Sequence, residues 1–314
     1  MMINFKKLKH EYDRISVYDI QNNAGISFGD LENFADQYSN VANEMKTSRF
    51  CPRKIMDYYF KCNKFMKIVV SQDISLHFFY IDELHESMYK IFKTIKQCIV
   101  LKKYFGITKH LNIYVVTAPD KRFMPKEGYI TCQHINGGWT ALNHNDIFII
   151  RSEEFGKVIL HEILHHCEHI QNDNWKREHL VVLKTHFKIS ENTVLVPNEA
   201  IIELWATILY TLFSSFEYGI AYNLLMNKEL EYSIIQYNKI LDKQNEKSWY
   251  EETNAYCYIV FKTIMLCNLE KFLKACSRPY DPTYIVNFLV THSKSIPYKK
   301  SKDNSLRMMK FSDY

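Results

Sequence analysis

Apolar positions recur at helical spacing through most of this chain and alternate only in its middle third, so the pattern predicts helical ends around a small sheet. Residues 1–50 are polar and mixed, punctuated by Gly25 and Gly29, and predict short surface helices. Ile55, Met56, Tyr59, Phe60, Met66 and Val69 recur near helical spacing over 52–70. A stronger helix is expected over 81–104, with Leu84, Met88, Ile91, Phe92, Ile95, Ile99 and Val100 inward, Lys90, Lys93 and Lys96 outward, and Gly106 as its stop. The spacing then changes. Residues 111–117 are short and β-branched and end at Ala118-Pro119, which reads as a strand. Residues 128–135 alternate as a second strand, Gly137-Gly138 turns, 139–142 continue the sheet, and 146–150 form a third run. Ser152, Glu153 and Glu154 open the next helix. Helices are expected over 175–187, from Pro197 onward, and, after a break at Gly219, over 220–243, 250–276 and 283–292, with 192–196 extended. The fold class is therefore α+β. Four regions follow: a mainly helical 1–106, a sheet plus following helix at 107–170, a helical 171–297 and a polar, lysine-rich tail at 298–314.

The helix over 156–169 carries the chemistry. It contains His161-Glu162-Ile163-Leu164-His165. Residues four apart on a helix lie one above the other, so both imidazoles can face one metal ion. Glu162, one residue round, can reach a water on that metal; two His, an open position and a carboxylate base are the parts of a zinc hydrolase. The competing reading is a solvated, histidine-rich helix. Against it, Val158, Ile159, Leu160, Ile163, Leu164, Cys167 and Ile170 form a broad apolar surface, and buried imidazoles need partners.

A third ligand is sought downstream, where Val196-Pro-Asn-Glu-Ala-Ile-Ile-Glu-Leu-Trp-Ala206 starts another helix, Pro197 in its first turn and Asn198 able to cap. Glu199 and Glu203 share a face of an otherwise apolar segment and call for something positive between them. Either can be the ligand with the other in support, because both lie on one face. The separation of 34 positions from His165 to Glu199 suffices to bring the second helix back antiparallel.

His161, Glu162, His165, Asn198, Glu199 and Glu203 together resemble the H-E-x-x-H…N-E-x-x-x-D/E pattern of the gluzincin clan of zinc metallopeptidases, over about 147–210. Trp205-Ala206 is similar to the aromatic–Ala pair of some members. The resemblance implies a zincin-like fold and one Zn2+ per chain. It also implies that Glu199 is a ligand and that Glu203 accepts a hydrogen bond from the free nitrogen of a ligating His, His161 being the expected one. It implies a peptide substrate added to an edge strand, for which 129–142 is the candidate, with Trp139 either touching substrate or packing the sheet. A donor to the oxyanion is expected from the C-terminal half: Tyr256 first, with Tyr210, Tyr218 and His292 as alternatives. A metzincin pattern would need Gly and His or Asp where Glu168 and Gln171 stand. His166, Glu168 and His169 follow too closely to complete a tetrahedron and read as surface or supporting residues.

Composition narrows the setting. The chain has 314 residues, 47% hydrophobic and 24% charged, enough for a sizeable core and unlike a disordered chain. Only 8 Gly and 7 Pro accompany 22 Tyr and 20 Phe, which favours long helices. A net charge of +5 does not demand an acidic partner, and no nucleic-acid signature is present. The eight Cys form no C-x-x-C pair, the N-terminus has no signal-like apolar run, and the most apolar stretch, 200–216, is too short for a membrane and carries Glu203. The expectation is a cytoplasmic zinc peptidase acting on a peptide or protein, with no membrane or nucleic-acid partner. Two alternatives stand beside it: a catalytically inactive zinc-stabilised component of a larger assembly, closed by a fourth protein ligand, and a metal-dependent hydrolase of a non-peptide substrate.

Overall fold

Ile74–Tyr80 is a run in which six of seven residues are buried, and it forms the middle of a six-stranded sheet. The computed structural model describes residues 4–70, 74–140, 145–167, 170, 174–275, 281–301 and 303–311. In chain order the elements are α1 (Phe5–Asp13), α2 (Val17–Asn23), β1 (Gly25–Asp30), α3 (Ser39–Thr47), α4 (Arg53–Tyr59), β2 (Lys64–Val70), β3 (Ile74–Tyr80), α5 (Met88–Phe105), β4 (Leu111–Val116), α6 (Cys132–Ile135), β5 (Gly138–Thr140) and β6 (Asp146–Ile149). There follow α7 (Phe155–Leu164), α8 (Arg177–His186), α9 (Asn198–Tyr218), α10 (Tyr222–Gln244), a π-helical turn (Cys257–Phe261), α11 (Lys262–Cys267), α12 (Leu269–Ala275) and α13 (Pro282–His292).

The strand order is β1-β2-β3-β4-β6-β5, so β1 and β5 are the edges. β3, β4 and β6 are parallel; β1, β2 and β5 run antiparallel to their neighbours. Alternation along β4 sends Leu111, Ile113 and Val115 into a core with α5 and α7, and Tyr114 and Val116 toward α3 and α4 on the other face. α5 begins at Ser87, whose hydroxyl accepts from Lys90 N at 3.2 Å, and ends at Gly106 with φ +67°, a left-handed conformation that costs glycine little. α7 lies between α5 and α9 and touches β5 and β6, which puts its last turn beside the sheet edge. α9 is long and apolar enough to cross a membrane, but 83% of its most apolar window is buried in the protein.

The α+β expectation holds, as one mixed sheet with helices on both faces. Several finer expectations do not. Helical spacing over 52–70 covers only α4; after Asn63 the β-branched, alternating Lys64–Val70 forms β2. The helix expected from 81 begins at Met88. Residues 1–106 supply half the strands, and Ile74 pairs with Leu111 across the boundary at 106, which therefore runs through the sheet. Residues 128–135 give an isolated bridge at Ile130 and the short α6, leaving 138–140 as the edge strand. Leu142, Glu168, His169, Gln171 and Cys276 lie outside the described residues.

The expected polar tail is a strap. Leu306, Met308 and Met309 are buried. Glu154 accepts from Met308 N and Met309 N at 3.0 and 2.8 Å, and Glu229 from Lys310 N and Phe311 N, each at 2.9 Å. Both carboxylates are fully buried, and Arg122 Nη1 is 2.5 Å from Glu154. A polar composition conceals this because backbone N–H groups, not side chains, meet the acids.

Candidate metal centre

α7 is buried at every position, and His161 stands in its last turn. The helix ends at Leu164 and His165 is its C-cap, still in right-handed geometry, so the i, i+4 stacking persists and the rings lie 5.1 Å apart. α9 begins after Pro197, which takes the N-cap position; Asn198 is the first helical residue and does not cap through its side chain, the reverse of the expected order. Glu199 thus enters in the first turn and Glu203 one turn later, both toward α7.

The two acids meet opposite sides of one ring. Glu199 Oε2 is 3.3 Å from His161 Nε2 and 3.6 Å from His165 Nε2. Glu203 Oε2 is 2.9 Å from His161 Nδ1. His161, His165 and Glu199 bring one ligand atom each within 4.8 Å of one another, a group that could hold a metal ion. Around a zinc with bonds of about 2.1 Å, tetrahedral donors sit roughly 3.4 Å apart. The separations fit. Glu199 Oε2 is also buried without a hydrogen-bond partner, an acceptor that a cation would satisfy. Of the described residues, no further His, Cys, Asp or Glu joins the group; His166 turns its Nε2 to Thr140 Oγ1 at 3.1 Å.

The local electrostatics are arranged for positive charge. Burial works against a charged His161, yet Glu199 and Glu203 outweigh it and raise the imidazole to about 9. Burial pushes His165 down to about 4 against the pull of Glu199. Burial would raise Glu203, but Lys157 and His161 hold it down to about 2. Lys157 Nζ is paired with both Glu203 oxygens, and both side chains are 2% exposed. Glu162 accepts no such clamp: burial lifts it to about 7, with His161 opposing. A carboxyl poised near neutrality suits proton transfer.

His161, Glu162, His165 and Glu199 open onto a cleft of about 490 Å³, whose lining also includes the three residues of β5. Tyr256 does not reach it. Its hydroxyl is 3.2 Å from Gln244 Oε1 and 3.5 Å from the Phe187 carbonyl, in the core of the C-terminal helices. Two residues along a helix is about 200° of rotation, so Tyr258 faces the other way. It lines the cleft, crosses His161 edge-on at 5.7 Å and helps lower the Glu199 pKa through its hydroxyl. Among the alternatives, Tyr210 is core, Tyr218 OH takes a bond from Lys93, and His292 packs on Phe288. Trp139 is 7% exposed; it stacks on Phe148 and donates Nε1 to Glu44 at 2.9 Å, while one edge still borders the cleft.

Sequence spacing thus brought the two His and both Glu together and misplaced the tyrosine. It passed over Lys157, whose signal was a lone ammonium one turn before His161 in an apolar run. No known family model matches the chain, and neither does any curated protein or solved structure.

Proposed function

We propose that the protein is a zinc-dependent metallopeptidase with a gluzincin arrangement on a zincin-like sheet and helix pair. The observation that carries this is the unpartnered Glu199 oxygen 3.3 and 3.6 Å from two histidine Nε2 atoms, with Glu162 in the same cleft. His161, His165 and Glu199 would hold the ion, which when bound polarises a carbonyl and makes water acidic enough to attack near pH 7. Glu203 fixes His161 through Nδ1 and so aims Nε2 at the ligand group. Glu162 takes a proton from the attacking water and delivers it to the leaving amine. The Tyr258 hydroxyl donates to the carbonyl oxygen as it gains charge. β5, paired on one side only, offers its other backbone edge to an extended peptide, while the Trp139 ring keeps that strand on the sheet. The seven described cysteines are all free thiols, and we place the protein in a reducing, intracellular compartment.

The direct test is a peptide library incubated with zinc-loaded protein. Cleavage is expected, abolished by 1,10-phenanthroline and restored by added zinc. Cleavage indifferent to chelation, or none with one zinc per chain bound, removes the proposal. Tyr258→Phe is expected to lower kcat by about a hundredfold, with zinc content and KM close to wild type. An unchanged kcat in steady-state assays takes Tyr258 out of the mechanism.

A further inference from the structure

The wall of the cleft formed by Tyr250–Asn254 holds polar groups that the reaction above does not use. Glu251 is 2% exposed; its Oε1 accepts from Tyr256 N at 3.0 Å, and its Oε2 has no hydrogen-bond partner. Three residues on, Asn254 Oδ1 is likewise buried and unpartnered. Both atoms are acceptors, and both residues line the same cleft as the metal group. Glu252 stands beside them with Oε1 taking the Tyr129 hydroxyl at 3.0 Å. A buried carboxylate without a cation is costly, and burial accordingly pushes Glu251 up to about 8. The Trp249 indole and the Ala255 N–H, like that of Tyr256, face the carboxyl and oppose this rise, but all three are neutral donors and Trp249 Nε1 makes no well-formed hydrogen bond. A bond from that neutral N–H would add no charge and would leave the Asn254 oxygen unmet.

We infer that Glu251 and Asn254 form a subsite for a cationic group of the substrate, a primary ammonium or guanidinium, with Glu252 at its rim. The inference rests on the peptidase reading for the identity of the substrate, but not for the recognition itself. An ammonium or guanidinium supplies several N–H donors and the missing positive charge, which no neutral side chain does. Arg49 also lines the cleft, but among the ion pairs of the described residues none joins it to Glu251 or Glu252.

The test uses zinc-loaded protein carrying Glu162→Gln so that ligands persist. Calorimetry compares alanine pentapeptides with a central lysine, arginine or neutral norleucine, each with a free or acetylated N-terminus. Lysine or arginine is expected to bind about tenfold tighter than norleucine, with the ratio collapsing in Glu251→Gln and, separately, in Asn254→Ala. Two variants guard against misfolding of one. A Glu251-dependent loss of affinity on acetylation that is common to all three peptides assigns the subsite to the terminal ammonium; a lysine or arginine preference that survives acetylation assigns it to the side chain. Equal binding of all peptides, or a ratio that persists in both variants, overturns the inference. Agmatine is the small probe that separates the two proposals. Glu251-dependent agmatine binding without hydrolysis of any library peptide by the Glu162 protein keeps the subsite and sinks the peptidase. Cleavage blind to charge does the opposite.

Discussion

Glu162→Gln is expected to reduce peptide hydrolysis by about a hundredfold to ten-thousandfold while the protein keeps its fold and its zinc. The substitution is isosteric, and the residue is not among the three that offer metal ligands. What it removes is the cleft carboxyl to which the proposed reaction gives the proton transfer between water and amine. A carboxyl can accept and return that proton, and burial favours its protonated form; an amide can do neither. The check is kcat/KM on the best library peptide beside zinc content and circular dichroism. Activity within a few-fold of wild type, with zinc intact, would remove Glu162 from the chemistry.

The largest effect on stability is expected at Lys157. Lys157→Met takes from the buried Glu203 carboxylate its ion-paired ammonium and leaves only His161 and the Lys262 charge to oppose burial, a change of about 3–5 kcal/mol against the folded state. The His161 hydrogen bond remains, but a single N–H does not replace a bidentate ammonium. Adding Glu203→Gln is expected to recover much of the stability, because it removes the stranded charge, yet not the zinc affinity, because His161 loses its carboxylate. Outer-shell carboxylates of this kind contribute about ten- to a hundredfold to metal affinity. Urea unfolding midpoints and zinc titrations of both variants read the two quantities separately. Equal stability of Lys157→Met and wild type would show that the pair contributes nothing to the fold.

The contrast between what spacing predicted and what it missed has a physical basis. His161 and His165, and Glu199 and Glu203, are each one helical turn apart, so their shared faces follow from local geometry. The partition of the two acids, one at Nε2 and one at Nδ1 of the same ring, depends on how α9 lies along α7, which no local pattern encodes. Tyr256 and Tyr258 were indistinguishable for the same reason: each is aromatic and near a helix start, and only packing against Phe187 and Gln244 decides which turns inward. β1 was illegible because its side chains are largely exposed and show no buried alternation. β2 resembled a continuing helix because two apolar residues happened to fall at helical spacing. The strap eluded composition altogether, since Glu154 and Glu229 bind its amides while, among its described residues, only Leu306, Met308 and Met309 are buried. Lys157 is the instructive omission. In a run of apolar residues a single lysine must find an acid, and the acid it finds, Glu203, is the one that orients a histidine.

Zinc K-edge absorption on protein loaded to one equivalent tests the central claim most directly, because it counts ligands and reads their type. The expected result is a four-coordinate ion with two imidazole nitrogens near 2.0–2.1 Å and oxygen in the remaining positions, and loss of stoichiometric zinc in His161→Ala and His165→Ala. Failure to bind one equivalent of zinc, or a shell containing sulfur or a third imidazole, would contradict it.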